Sequence, residues 1–322
     1  MESSILFAAQ GFNLRCTKSK IYKDKFGHIC ITAQGPVRIQ RADAGRGHGQ
    51  NACCYSLATI LFQHEIKENL HSNGFVVDRF LISSQDAPYF RADNGDAYTA
   101  CFVQAGSNID FADAPGFLDV VRHVAQMHQT LFGISFIATA PAKMVKAGDD
   151  AVKLLENLTS LKKKLLKSGK FSDFDMLFLR GFEMFAPHIV SSGDTCNDEK
   201  YICHNLLKEE NIYRLDNGQI AITNFSEAAQ MHHMHDIAYI IKRYIKAKPQ
   251  EIMPIGKILE VYVDSCQLPL DDTLFSRILL FPDKFIKVTT DYYSKKRSFA
   301  PNTYISRMQE CLRVGAVLSE KL

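Results

Sequence analysis

No stretch of this 322-residue chain approaches the roughly eighteen consecutive apolar residues that a membrane-spanning helix needs. The amino-terminal MESSILFAAQGF has no basic region and only a short apolar run, so no secretory signal peptide is expected. The nine cysteines contain no C-x-x-C pair and are odd in number, which argues against a disulfide framework and for a reducing compartment. Cys53 and Cys54 are adjacent, cannot easily bridge each other, and read as packing residues. Neither sign of charge dominates. At a net +3, bulk electrostatics compel neither a nucleic-acid nor a membrane partner. Repeats and low-complexity tracts are absent as well. What remains is a soluble intracellular protein, long enough for a packed core in one large or two moderate domains.

The first hundred residues read as mainly β. Phe12–Tyr22 is β-prone, Gly27–Thr32 alternates, and Val37–Gln40 follows a turn at Ala33–Pro36. Ala44-Gly45-Arg46-Gly47-His48-Gly49 has glycine at every second position, but a phosphate loop needs G-K-[ST] and a dinucleotide fingerprint needs wider spacing. It reads as a flexible surface loop. A helix is expected over Ala52–Leu70, with Leu57, Ile60 and Leu61 in one apolar stripe and Phe62, Ile66 and Leu70 in a second. Phe75–Ser83, Pro88–Arg91 and Ala97–Val103 complete the sheet, with a turn at Asp93-Asn94-Gly95-Asp96.

From Ala114 the chain turns helical. Phe117–Leu131 carries Leu118, Val121, Val124, Ala125 and His128 on one face. Ala151–Ser168 is a basic amphipathic helix whose Lys162, Lys163, Lys164 and Lys167 read as a solvated face. Phe171, Phe174, Phe178, Phe182 and Phe185 recur at spacings of three and four, the mark of a core-facing stripe. Met231-His232-His233-Met234-His235 invites a metal reading, but no Cys or carboxylate pattern completes a zinc site.

The organising stretch is Tyr201–Lys246. A polar loop closes on Asn211, and two β-prone runs, Ile212–Leu215 and Gln219–Thr223, flank Asp216-Asn217-Gly218 in a strong hairpin signal. After Phe225, Ile237, Ile240, Ile241 and Tyr244 recur at helical spacing. This order of loop, hairpin, short motif and helix resembles the kinase-like small-molecule phosphotransferases, the aminoglycoside, choline and homoserine kinases, with H-G-D-L-H-x-x-N, then I-D-F-D, then D-x-A. The resemblance implies an α+β, bilobal protein-kinase-like fold. Its small, mainly β N-lobe with one helix would cover residues 1–104, and its larger, mainly helical C-lobe residues 105–322.

In such a site one Asp orients the acceptor hydroxyl, an Asn and a second Asp hold magnesium, and a remote Lys steadies the phosphates. Carried over, His204 fits the loop histidine and Asn211 the metal-binding Asn. The catalytic Asp falls on Leu206, the second metal-binding Asp on Asn224, and the phosphate-binding Lys on Gln40. Arg38, two residues from Gln40 on the same strand face, is the alternative cation, while Arg41 faces away. Glu65 falls near the helix acid that would pair with the lysine, or is simply solvated. Gln104 lies in the hinge, where these families hold adenine by backbone hydrogen bonds. His128 ends an L-A-x-x-H-like stretch with a packing role, and Asp236 keeps the structural acid of D-x-A. No catalytic residue is intact: the degenerate loop is His204, Leu206, Asn211, and Gln40, Glu65, Gln104, Asn211 and Asn224 outline a vestigial nucleotide cleft. Leucine cannot serve as a general base, an aid worth about 10²–10⁴-fold, and a neutral amide is a weaker ligand than a carboxylate for a hard cation.

Ile278-Leu279-Leu280-Phe281-Pro282-Asp283-Lys284-Phe285, then Lys287 and Asp291-Tyr292-Tyr293-Ser294-Lys295-Lys296-Arg297, resembles the L-x-x-P-x-K-F…Y-Y-x-x-[KR] stretch of the spore-coat protein S (CotS) family of kinase-like proteins. Asn73-Gly74-Phe75 and the altered loop add to the match, which spans about residues 12–312. The resemblance implies a pseudokinase that acts as a structural or interaction component of the spore coat. It would be made in the mother-cell cytoplasm and partnered by other coat proteins, without nucleic acid, membrane insertion or cofactor. Two alternatives stay open. One is an atypical phosphotransferase on a small hydroxylated molecule or sugar, using ATP and magnesium held by Asn211, Asn224 and Glu227. The other is a sensor that binds ATP without turnover.

Overall fold

The hairpin turn at Asp216–Gly218 forms as its residues dictate. Gly218 takes a left-handed φ of 84° and the Leu215 and Gln219 backbones pair across the turn. The structure is a computed structural model that describes residues 2–16, 21–23, 27–42, 57–135, 147–190, 201–248, 251–294 and 301–322. The glycine-rich loop at 44–49, Cys53, Cys54, the first turn of the helix expected from Ala52, and Lys295, Lys296 and Arg297 lie outside the described residues.

The chain divides into two compact units. The first holds Met1–Asp110, His123–Ala142 and Glu199–Gln230; the second holds Phe111–Arg122, Lys143–Asp198 and Met231–Leu322. These units cut the chain differently from a single break at residue 104, because the loop and hairpin at 201–222 belong with the N-terminal part.

In the first unit, α1 (Glu2–Gly11) precedes β1 (Ile21–Lys23), β2 (His28–Thr32) and β3 (Gly35–Ala42). Of the strand expected over Phe12–Tyr22, Ile21 and Tyr22 lie in β1, residues 17–20 are outside the described residues, and the first residues are not strand. Those first residues terminate α1, with Asn13 in the left-handed region and the Leu14 N–H returning to Ala9. Then come α2 (Leu57–Ser72), β4 (Val76–Val77), β5 (Phe90–Arg91), β6 (Ala97–Phe102) and β7 (Ser107–Asn108). Among the described residues, the later β8 (Ile202–Cys203), β9 (Ile212–Arg214), β10 (Ile220–Ile222) and β11 (Ala229–Gln230) complete the strands.

One sheet runs β1-β2-β3-β6-β5, all antiparallel. Strand alternation gives β3 two working faces. Val37 and Ile39 pack with Ile5, Ala8, Ala9 and Phe12 of the α1 segment, and Phe90 lies edge-on to Phe7 and Phe12. Ala42, on the other face, clusters with Ile60 of α2, Phe80 and Ala97. The strand expected over Phe75–Ser83 is cut to Val76–Val77 and leaves this sheet altogether. It pairs in parallel with β10 in the second sheet, β4-β10-β9-β7. Only a bridge from Phe80 to Cys101 ties the rest of that segment to β6.

α3 (Ala114–Leu131) contributes to both units. The second unit adds α4 (Ala147–Ser168), α5 (Asp173–Val190), α6 (Met234–Ala247), α7 (Ile255–Ser265), α8 (Asp272–Leu280), α9 (Asp283–Tyr293) and α10 (Pro301–Lys321). Phe174, Phe178, Phe182 and Phe185 are buried as their spacing requires, whereas Phe171 precedes α5 and stays exposed. Phe285 stacks parallel to Phe178 within the buried cluster, and the half-buried Tyr292 stacks on Phe174 against it. α6 begins at Met234, after His232, so His232 and His235 do not share a helical face; His232 stacks on His233 instead. Among the described residues no helix is long and apolar enough to cross a membrane.

Candidate functional site

The parallel register of β4 with β10, Val77 opposite Ile222, brings the residues that follow each strand side by side. Asp78 thereby meets Asn224, whose backbone N–H donates to Asp78 Oδ2 at 3.1 Å. Asn224 sits at φ 65° and ψ 61°, a left-handed conformation that Asn tolerates better than most residues. Its side-chain Nδ2 donates to Asn211 Oδ1 at 3.4 Å.

The loop before β9 is tied to itself. Asn211 Nδ2 donates to the Leu206 carbonyl at 2.8 Å, and the Leu206 N–H donates to His204 Nδ1 at 3.2 Å. His204, buried beside the Phe225 ring, puts Nε2 3.0 Å from the Thr223 carbonyl. Both ends of the Asn211 amide are thus engaged within the unit.

Arg38, Gln40, Asp78, Cys101, Asn211, Tyr213, Thr223 and Asn224 enclose a cavity of about 20 Å³. One water needs about 10–15 Å³ on such a measure, whereas small-molecule sites run to about 300–1,000 Å³. The space is water-sized. Gln40, Asn211 and Asn224 therefore come together, and Arg38 joins them as strand alternation requires. Arg41 points away to pair with Asp96 at 2.5 Å. Gln104 is elsewhere, donating from Nε2 to the Val77 carbonyl at 3.4 Å and lining a separate apolar groove of about 540 Å³. Glu227 does not line the cavity, and its backbone carbonyl accepts from Asn205 Nδ2 at 3.1 Å. Asp236 is fully buried in the first turn of α6 in the second unit.

Two charged residues here were not singled out in the sequence. Lys67 of α2 is 2% exposed, with its ammonium 3.2 Å from Asp78 Oδ1 and 3.8 Å from the centre of the Phe80 ring. The next residue of each partner pairs as well. Arg79 reaches both carboxylate oxygens of Glu68, at 2.9 and 2.5 Å. Burial pushes the Glu68 carboxyl up, but the hydrogen bonds and charge of Arg79 outweigh it and leave Glu68 below its ordinary pKa. Glu65, two residues before Lys67, lies about 200° around the helix from it, given the 3.6-residue period. α2 thus sends a cation inward to Asp78, and Glu65 is not among the residues lining the cavity. The one sequence signal for Lys67 was position, since it adjoins the Phe62, Ile66, Leu70 stripe. Leu61, expected in the other stripe, is 38% exposed.

No protein-family model matches the chain, and no curated protein matches it. Solved structures do. An aminoglycoside phosphotransferase from Alicyclobacillus acidocaldarius superposes with a TM-score of 0.71 at 14% identity, covering 98% of this chain and 94% of that one. Spectinomycin phosphotransferase, solved with ADP and spectinomycin, gives 0.70 at 9% identity over 100% and 98%. Choline kinase from Streptococcus pneumoniae gives 0.53 at 12% identity over 98% and 100%. At these identities the likeness establishes the fold. It is the protein-kinase-like fold of the aminoglycoside phosphotransferases, an N-terminal antiparallel sheet with its helix α2 followed by a mainly helical part.

Proposed function

We propose that this chain is a pseudokinase, a kinase-like protein that has given up phosphoryl transfer and works as a structural or interaction component of the spore coat. The observation that carries the first half is the cavity of about 20 Å³ enclosed by Gln40, Asn211 and Asn224. Phosphoryl transfer rests on positioning and on electrostatic stabilisation by metal ions and cations. Here the position of the general base holds Leu206, the metal position Asn224 and the lysine position Gln40, and the cavity that Gln40 and Asn224 line is water-sized. Asp78, the one carboxylate lining the cavity, is already paired with Lys67. Glu227, the acid an atypical enzyme would recruit, is not among the lining residues.

The coat assignment rests on the Pro282, Phe285, Tyr292 and Tyr293 stretch of the sequence and on the altered loop. Its partners would be other coat proteins, and its place the mother-cell cytoplasm and then the coat.

Thermal unfolding with and without ATP, with magnesium present or chelated, tests the catalytic half. Ligand at about 100 times its Kd would stabilise the fold by about 2.7 kcal/mol, and we expect no shift in any condition. A magnesium-dependent shift accompanied by ATP turnover that Glu227→Gln abolishes would replace this reading with the atypical enzyme. A shift indifferent to magnesium would replace it with the sensor. For the coat half, a fluorescent fusion in a sporulating host is expected to gather around the forespore; fluorescence that stays diffuse through coat assembly would overturn it.

A further inference from the structure

We propose that the Lys67 ammonium is fixed on the Asp78 carboxylate of this cleft in place of a divalent metal, and that Lys67 is the residue that makes the cleft refuse one. The inference rests on the reading of the cleft as a kinase-like site without metal-dependent transfer, and it assigns a chain-borne cation to that site.

A nearly fully buried ammonium requires a counter-charge, because an isolated charge in a protein interior is strongly disfavoured. Asp78 provides it at 3.2 Å, and the faces of Phe80 at 3.8 Å and Phe225 at 6.0 Å complete the surroundings that suit a cation. The second Asp78 oxygen accepts the Asn224 N–H. The carboxylate that adjoins Asn224 and Asn211, the two positions where the fold's enzymes hold metal, is thus neutralised from inside the chain. Asn211 Oδ1, the other oxygen a hard cation would seek, accepts the Asn224 amide. A divalent ion would have to take Asp78 from Lys67 and strand a buried ammonium, so the site is closed to metal by charge. Removing the ammonium while keeping Asp78 frees that carboxylate beside the Asn211 and Asn224 amides, with Arg38 left as the cation lining the cavity.

The test is Mn²⁺ binding, read by electron paramagnetic resonance and by thermal unfolding, on wild type, Lys67→Met and Lys67→Ala, with no nucleotide present. Wild type is expected to bind no Mn²⁺ and to melt unchanged. Both variants are expected to melt lower, to bind Mn²⁺ and to regain stability with it. Lys67→Ala/Asp78→Asn should lose that affinity again, by roughly ten- to hundredfold or more. Folded variants that bind Mn²⁺ no better than wild type would overturn the proposal, as would Asp78-dependent binding by wild type. If a variant does not fold alone, its refolding yield with Mn²⁺ becomes the readout: recovery supports the proposal and no recovery overturns it. Because ATP is absent, a failure here is separate from the discovery of turnover, which would refute the pseudokinase reading itself.

Discussion

His204 engages a separate backbone group with each ring nitrogen: Nδ1 accepts the Leu206 N–H at 3.2 Å, and Nε2 lies 3.0 Å from the Thr223 carbonyl. A carbonyl can only accept, so the proton is on Nε2 and the ring is held in that tautomer. His204 therefore acts as a brace between the loop before β9 and the end of β10. His204→Ala leaves a part-buried N–H and a buried C=O without the histidine and opens a cavity beside Phe225. A loss of about 2–4 kcal/mol is expected in urea unfolding. A loss under about 0.5 kcal/mol, the range of ordinary surface changes, would show that the brace carries no weight.

The Lys67–Asp78 pair predicts strong coupling in a double-mutant cycle. Lys67→Met leaves Asp78 without its cation and Asp78→Asn leaves the ammonium uncompensated, each at a cost of about 3–5 kcal/mol. The double variant buries no charge at this place and should cost much less than the two losses together. Additive losses by chemical denaturation would mean that the two groups do not depend on each other.

Acid should weaken the fold through two histidines. Burial holds His123, packed against the Phe75 ring at 4.9 Å, down to about 4, and burial likewise holds His235 down to about 4. Both folded-state values lie below the unfolded value of about 6.5. The unfolded chain therefore takes up protons first. Their contribution is complete above about pH 6.5 and is lost as the pH falls toward about 4, with a slope of at most about 1.4 kcal/mol per pH unit for each ring. His123→Phe should flatten that slope when stability is measured across this window, and an unchanged slope would remove His123 from the account.

Two glycines set how closely helices approach in the second unit. A Cβ on Gly181 of α5 would lie 2.5 Å from Phe285, and one on Gly315 of α10 would lie 2.5 Å from Phe185. Both meet aromatic rings within the buried cluster, which have little room to give. Although alanine favours helix, Gly181→Ala and Gly315→Ala are each expected to destabilise by about 1–3 kcal/mol through overpacking. A rise in Tm for either would show that the helices can part at no cost.

Much of this was legible in the chain, and what was hidden shares one cause. The hairpin around Gly218, the phenylalanine stripe of α5 and the positions of Gln40, Asn211 and Asn224 follow from local spacing and a recognisable order of motifs. Lys67 did not, because periodicity assigns a lysine to solvent, and the counter-charge that makes its burial tenable is Asp78, which itself takes its place through β4 pairing with β10. The Asp78 to Asn224 hydrogen bond joins residues 146 positions apart, which no window along the chain can read. The helix α1 was missed for a different reason: Ile5, Leu6, Phe7, Ala8 and Ala9 are contiguous, so neither a helical nor a strand period stands out.

That helix gives the β-sheet two insides. With Ile5, Ala8 and Ala9 laid over Val37, Ile39, Tyr98 and Ala100, neither face of β3 or β6 is the outer wall of the protein. Peeling residues 1–11 away would turn one of those insides into a broad, sticky exterior on a sheet whose hydrogen bonds remain intact. The shortened protein would then tend to cling to its own copies before it unfolded, its association growing with concentration and subsiding when a peptide of the lost sequence is supplied. The segment Glu2–Gly11, in this sense, is a cover over an adhesive face.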